Sequence, residues 1–294
     1  GFNDTYSRTI SDILYDPSMP ESPVDGIPIA NRAEVISFET KVHRDADGNL
    51  VGEFDAPADA KIYDTKTNKW VALGSGKKVQ SIGKYKMIFS NFHHGIPMSY
   101  EDYLYGDGFS EEWRKEDEPG DPWYDAEYDS QMSPTADVIV AKVFDEKTNT
   151  FTVYGNYNFP LDRDYAAATL APGWSPSANA GIGVSWEISE ALARLVALGK
   201  SASGTVWSFS GSKKGTTEVD VLNAKCVADI KAELNKMINE KWIPECLRGY
   251  TTAEKAINRY RAAIKWIDTY GHAYISNGPF YLAKYDANAN YAEV

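Results

Sequence analysis

The sequence predicts a mixed α/β protein, and three observations carry that reading. Between residues 33 and 90 apolar side chains alternate between clusters of turn formers. Residues 138–143 and 151–157 flank the polar stretch 145–149 as a further hairpin. From residue 185 onward apolar residues recur three and four apart, the spacing of helices with one buried face.

Taken in order, residues 1–32 hold Asp16-Pro17, Met19-Pro20, Ser22-Pro23, Asp25-Gly26 and Ile27-Pro28. Proline removes a backbone donor and fixes φ, so an extended surface segment without a regular element is expected. Val35, Ile36, Phe38 and Val42, then Asp47-Gly48, then Leu50, Val51 and Phe54 read as a hairpin. Residues 60–63 and 69–73 pair around 64–68, and 79–89 form another strand. Asp45, Asp47 and Asn49 alternate like calcium ligands. Gly48 falls fourth and the twelfth position is Ala56, so a hairpin turn explains them better.

After Pro97 a helix begins with Ser99 as cap and Asp102 three residues on. Gly106 to Gly108 break or kink it, and 110–116 is a second helical piece. Residues 116–134 are acidic and loop-like, a flap or a connector. Residues 160–184 are the least regular. Ser185 caps a helix over 186–198, closed by Gly199. A Ser/Gly-rich loop spans 201–215. Asn223 starts an amphipathic helix with Val227, Ile230, Leu234 and Met237 on one stripe. Pro244 interrupts, and Thr251 or Thr252 caps a last helix with Ala256, Ile257, Tyr260, Ile264 and Ile267, stopped by Gly271. Asn277-Gly278-Pro279 forces a turn, and Phe280, Leu282 and Tyr285 form a short strand.

At 294 residues the chain can bury a sizeable core. The formal net charge of -12 argues against a nucleic-acid or anionic-membrane surface. No window approaches a transmembrane helix, and the start carries no charged-then-apolar leader. Gly1 and the run to Val294 read as an excised piece of something longer. Nineteen Tyr and eight Trp suit packed cores and equally surfaces that grip sugars or peptides.

Catalytic patterns are absent from the sequence. Gly211-Ser212 is followed by Lys213-Lys214, so no nucleophile elbow forms. Gly181-Ile-Gly183 lacks the third glycine and the preceding strand of a dinucleotide fold. His93 and His94 are neighbours, which point to opposite faces of an extended segment and do not share one ion. No metal, cofactor or catalytic residue is assigned. A carboxylate pair for glycoside hydrolysis remains open, because 42 Asp and Glu offer many pairings. Cys226 and Cys246 read as a bridge, which the fold-back after a helix to about 240 makes tight, or as two buried thiols. Asn3-Asp4-Thr5 is a glycosylation sequon.

Two segments together resemble extracellular solute-binding proteins of the peptide/nickel class, family 5 of ABC-importer receptors, in the longer form found in archaea. Phe92-His93-His94-Gly95-Ile96-Pro97-Met98-Ser99-Tyr100-Glu101-Asp102-Tyr103-Leu104-Tyr105 resembles that family's W-x-D-G-x-P-h-T-A-x-D-V. Gly95, Pro97 and Asp102 match, while His94 stands for Asp and Ser99 for Thr. Ile275-Ser276-Asn277-Gly278-Pro279-Phe280-Tyr281-Leu282-Ala283-Lys284-Tyr285 resembles G-T-G-P-Y-x-L-x-x-Y, with Asn277 for Thr and Gly278, Pro279 and Phe280 matching. These stretches cover about a tenth of the chain.

The resemblance implies a periplasmic-binding-protein-like lobe with an enlarged helical insertion. Residues 1–106 would be the strand-rich part of the lobe, 107–270 the insertion and 271–294 the return strand, with a second lobe beyond the chain end. It implies an extracellular, cell-surface receptor that performs no chemistry, takes oligopeptides by default with oligosaccharides as rival, and feeds a membrane permease. Trp174, Trp186 and Trp207 sit in or beside Gly/Ser-rich loops, which nominates them as ligand-facing or, alternatively, as core anchors. A structural or adhesion module and a secreted carbohydrate-active hydrolase are the other classes.

Overall fold

A computed structural model describes residues 5–176, 183–199 and 201–294. The architecture is mixed α/β. Among the described residues the α-helices are α1 (Thr5–Leu14), α2 (Tyr100–Arg114), α3 (Ala126–Ala136), α4 (Arg163–Thr169), α5 (Trp186–Leu198), α6 (Ala224–Glu240) and α7 (Ala253–Tyr270). The chain divides into two compact units. Gly1–Asp16, Ser90–Asp129 and Ser175–Val294 form one, and Pro17–Phe89 and Ser130–Trp174 the other. The chain therefore crosses at 16/17, 89/90, 129/130 and 174/175, whereas the sequence placed its divisions at 106/107 and 270/271.

The second unit is built on a six-stranded antiparallel sheet. Its order is Ala33–Thr40, Ser81–Met87, Thr150–Gly155, Ile139–Asp145, Lys61–Asp64, Lys69–Ala72. The two hairpins within it, Ile139–Asp145 with Thr150–Gly155 in the middle and Lys61–Asp64 with Lys69–Ala72 at one edge, are the expected ones. Asp145 closes one of them by accepting the Lys147 N–H at 3.0 Å and the Thr148 hydroxyl at 2.8 Å. The first expected hairpin is smaller than its sequence pattern: only Val42–Arg44 and Leu50–Gly52 pair. Asp45 makes that turn by accepting from Asp47 N and Asn49 N at 3.0 and 2.8 Å. Ala33–Thr40 instead joins Ser81–Met87, a long-range pairing that no local signal specifies. Ser81, Gly83, Tyr85 and Met87 alternate inward, and the Tyr85 hydroxyl donates to Ala167 O of α4 at 2.7 Å. Helix α4 occupies a stretch expected to be irregular. Asp162 caps it through the Tyr165 N–H, and an Ala-rich run follows. Gly181 of the Gly-Ile-Gly fragment lies outside the described residues.

In the first unit α5 is buried around its whole girth from Trp186 to Leu195, and α2, α6 and α7 pack on it. Three of the expected caps are in place, whereas the side chain of Ser185 makes no capping bond at the start of α5. Ser99 and Asp102 close a capping box on α2, Asn223 accepts from Lys225 N and Cys226 N, and Thr252 caps α7. Gly199 and Gly271 end α5 and α7 in the left-handed conformation. Four expectations are corrected. Helix α1 exists, because the prolines begin only after Asp16. Its final carbonyls are satisfied from far along the chain: Gly278 N–H donates to Leu14 O at 3.0 Å and Phe280 N–H to Ile13 O at 3.3 Å. Helix α2 runs unbroken through Gly106 and Gly108, since a Cβ on Gly108 would stand 2.4 Å from Cys246 Cβ and the glycine makes room there. The acidic stretch turns into α3 at Ala126, started by Asp125 accepting from Glu127 N and Tyr128 N. The last strand covers only Lys284–Asp286, paired with Tyr291–Glu293.

Candidate functional site

The segments around His93 and Ser276 lie against each other in the first unit. His93 N–H donates to Ser276 O at 2.8 Å, and Ser276 N–H donates back to His93 Nδ1 at 3.3 Å. His93 Nε2 reaches Gly278 O at 3.2 Å. The ring therefore does the work of a backbone partner on both sides of the turn. Burial drives the His93 imidazole down to about 4. Asn277 ties the same turn to Met98 Sδ at 3.3 Å and to Asp16 N at 3.0 Å.

His94, pointing the other way, meets Glu187 Oε1 at 2.6 Å. Glu187 Oε2 accepts from Arg259 Nε at 2.8 Å, and Arg259 Nη2 donates to Asp102 Oδ1 at 2.9 Å. Asp102 Oδ2 accepts the Ser99 N–H at 2.8 Å, which is the helix cap again. One guanidinium thus joins the starts of α2 and α5 to the middle of α7. Its plane is flanked by the rings of Phe92 (5.0 Å) and Trp186 (4.9 Å). Burial alone raises the Glu187 carboxyl, but Arg259 and His94 outweigh it and bring the group to about 2. Asp102 has one cation to share, and burial pushes it up to about 6 against the pull of Arg259.

The other charges of α5 are likewise partnered. Glu190 accepts from Trp242 Nε1 at 2.7 Å and from the Tyr105 hydroxyl at 3.0 Å. Arg194 pairs with Glu233 at 2.6 Å and Glu240 at 2.7 Å, with its guanidinium 4.3 Å from the Trp242 ring centre. On α2, burial and then Asp121 raise Glu112 to about 8.

The three nominated tryptophans are inside the protein, at 1% (Trp174), 1% (Trp186) and 2% (Trp207) exposure. Trp186 packs on Tyr105 and Tyr260, while Trp207 donates its Nε1–H to Asp229 at 2.8 Å. Trp174 belongs to the other unit. All three are anchors in this conformation, and none offers an open face. Cys226 and Cys246 are free and buried, so the bridge reading gives way to two thiols. The exposed aromatics of the first unit lie elsewhere. Phe280 and Tyr281 are 50% and 44% exposed, and the Tyr281 ring sits 5.8 Å from Trp266 and 5.5 Å from Tyr270.

Sequence reasoning missed Arg259, Glu187 and Glu190. Their signal was present: each falls on the buried side of a helix whose neighbours there are Ala256, Tyr260 and Ala263, or Ile188, Ala191 and Leu192. A charge in such a stripe demands a partner.

Chemically, the network of His94, Glu187, Asp102 and Arg259 is buried, with His94 Nδ1 left without a hydrogen bond among the described residues. Its side chains are nearly without solvent contact, and its carboxylates are spent on one another's cations. It ties α2, α5 and α7 to one another. Among the described residues no group of His, Cys, Asp and Glu is arranged to hold a metal ion, and no helix is long and apolar enough to cross a membrane. No protein-family model and no curated protein matches the chain.

Proposed function

We propose that the chain is part of the extracytoplasmic substrate-binding component of an ABC importer of the peptide/nickel class. It binds oligopeptides without chemistry, in a periplasmic-binding-protein-like lobe. The observation that carries this reading is the union of two distant segments. The stretches resembling that family's motifs, about 180 residues apart, are hydrogen-bonded through His93, Ser276 and Gly278 and share one unit. Such mutual support is what two scaffold motifs of one lobe require. The burial of the acid and imidazole network away from solvent also favours binding over catalysis.

The test is a thermal-shift and tryptophan-fluorescence titration of the chain, extended past Val294 if the parent gene continues, against pooled oligopeptides and pooled oligosaccharides. A ligand at about 100 times its dissociation constant stabilises by roughly 2.7 kcal/mol, enough to move a melting curve by degrees. A shift with peptides and unchanged peptide masses is the expected result. A shift with sugars alone replaces the substrate class. No shift with either pool from a two-lobed protein sinks the receptor reading.

A further inference from the structure

His93 and His272 hold the turn after α7 by the same device. His93 accepts from Ser276 N at 3.3 Å through Nδ1 and reaches Gly278 O at 3.2 Å through Nε2. His272 accepts from Tyr274 N at 3.1 Å through Nδ1 and reaches Leu282 O at 2.9 Å through Nε2. An Nδ1 that accepts carries no proton, so both rings are the neutral Nε2–H tautomer. A second proton on either ring would set a donor against a backbone donor and break one arm of the clasp. The two imidazoles flank Trp266, with ring centres at 6.0 and 5.9 Å.

The surroundings of the two rings are mostly uncharged. Asp16, at the end of α1, favours a charge on His93, while His94 and His272 oppose it. Tyr281 faces His93 at 6.3 Å, and Tyr270 faces His272 at 6.2 Å. The Gly278 carbonyl and one carboxylate therefore stand against burial and two neighbouring imidazoles at His93, and the Leu282 carbonyl against burial at His272.

We propose that His93 and His272 form an acid-sensitive latch on residues 273–282: closed while both rings are neutral, released when they are protonated, freeing Tyr281 from Trp266. The latch stands on the geometry of this unit alone, whatever the chain binds. Burial lowers His93 from 6.5 to about 4 and lowers His272 as well. A histidine held neutral supports the closed turn fully above pH 6.5, and that support is lost as pH falls from there toward 4. At about pH 4.5 the linkage favours release some tens of fold through His93, relative to neutral pH.

Hydrogen exchange of the intact chain, read by mass spectrometry at pH 7.5 and 4.5 and corrected for intrinsic rates, tests this. Peptides covering 272–282 are expected to lose protection tenfold or more in acid while those of α5 and α6 keep theirs. In the His93→Gln/His272→Gln double variant, whose amides accept and donate without titrating, protection of 272–282 should not depend on pH. Equal protection at both pH values in the unaltered protein, or the same acid loss in the double variant, overturns the latch. Imidazole proton–nitrogen spectra of the unaltered protein decide the matter even if the variant fails to fold. Two Nε2–H rings that stay neutral to below about pH 5.5 support it, and ordinary titration near 6.5 overturns it.

Discussion

Arg259 Nη2 lies 2.9 Å from Asp102 Oδ1 although 157 residues separate the two in sequence, and the same guanidinium holds Glu187. Removing it leaves two carboxylates buried with His94 alone for compensation. Arg259→Met is expected to cost about 3–5 kcal/mol, the usual penalty for orphaning a buried charge. Arg259→Lys should recover only part of this, because a single ammonium does not span both acids as the planar fork does. Urea unfolding followed by circular dichroism measures both. A loss below about 1 kcal/mol for the Met variant would contradict the network.

The two acids on Arg259 should answer to pH in opposite senses. Glu187 is held at about 2, below its ordinary 4.5, so its contribution is present above pH 4.5 and is lost as pH falls toward 2. Asp102 is raised from 3.8 to about 6, so its contribution is present in acid and is lost as pH rises through 6. Glu187→Gln is therefore expected to destabilise more at pH 7 than at pH 3, and Asp102→Asn less at pH 7.5 than at pH 5. Chemical denaturation at those pH values shows the two slopes.

Gly108 is fixed by space. An added Cβ would stand 2.4 Å from Cys246 Cβ and 2.9 Å from its sulfur. Gly108→Ala should cost about 1–3 kcal/mol through overpacking. Cys246→Ala in the same chain should not rescue it, because the offending Cβ remains, whereas Cys246→Gly should recover part of the loss. A double-mutant cycle of melting temperatures separates the two.

Both thiols should be silent in the native protein. Burial pushes Cys226 up to about 12 and raises Cys246 too, which leaves little reactive thiolate. Thiol titration with an aromatic disulfide is expected to find two groups per chain, accessible only after denaturation. Fast reaction without denaturant, or an intact mass two units low, would contradict this.

Where a signal was local, the sequence was readable. Asn223, Thr252, Gly271, Asp145 and Asp45 announce their caps and turns because each acts on its own neighbours. The partner of Ala33–Thr40 was not, because alternation says that a strand exists without saying which strand lies beside it. Helix α1 was hidden by prolines that lie after it. The buried site was hidden differently. Ser99 and Asp102 were read as a cap, and they are one, but the second use of Asp102 on Arg259 depends on α7, which sequence spacing does not reveal. Trp186 drew notice for its Gly/Ser-rich approach, whereas its environment is set by Arg259, Tyr105 and Tyr260.

The tie between α1 and Gly278 has a consequence for how the chain is made. Ile13 O and Leu14 O receive their donors from Phe280 and Gly278, and the Asp16 N–H donates to Asn277 Oδ1. At translation speeds of about 5–20 residues per second, those donors emerge roughly 15 to 50 s after the helix they complete. Through that interval α1 has no docking partner at its C-terminal end, and its apolar face must be kept from wrong contacts by other means. The first of the described helices to be synthesised is thus among the last to be seated.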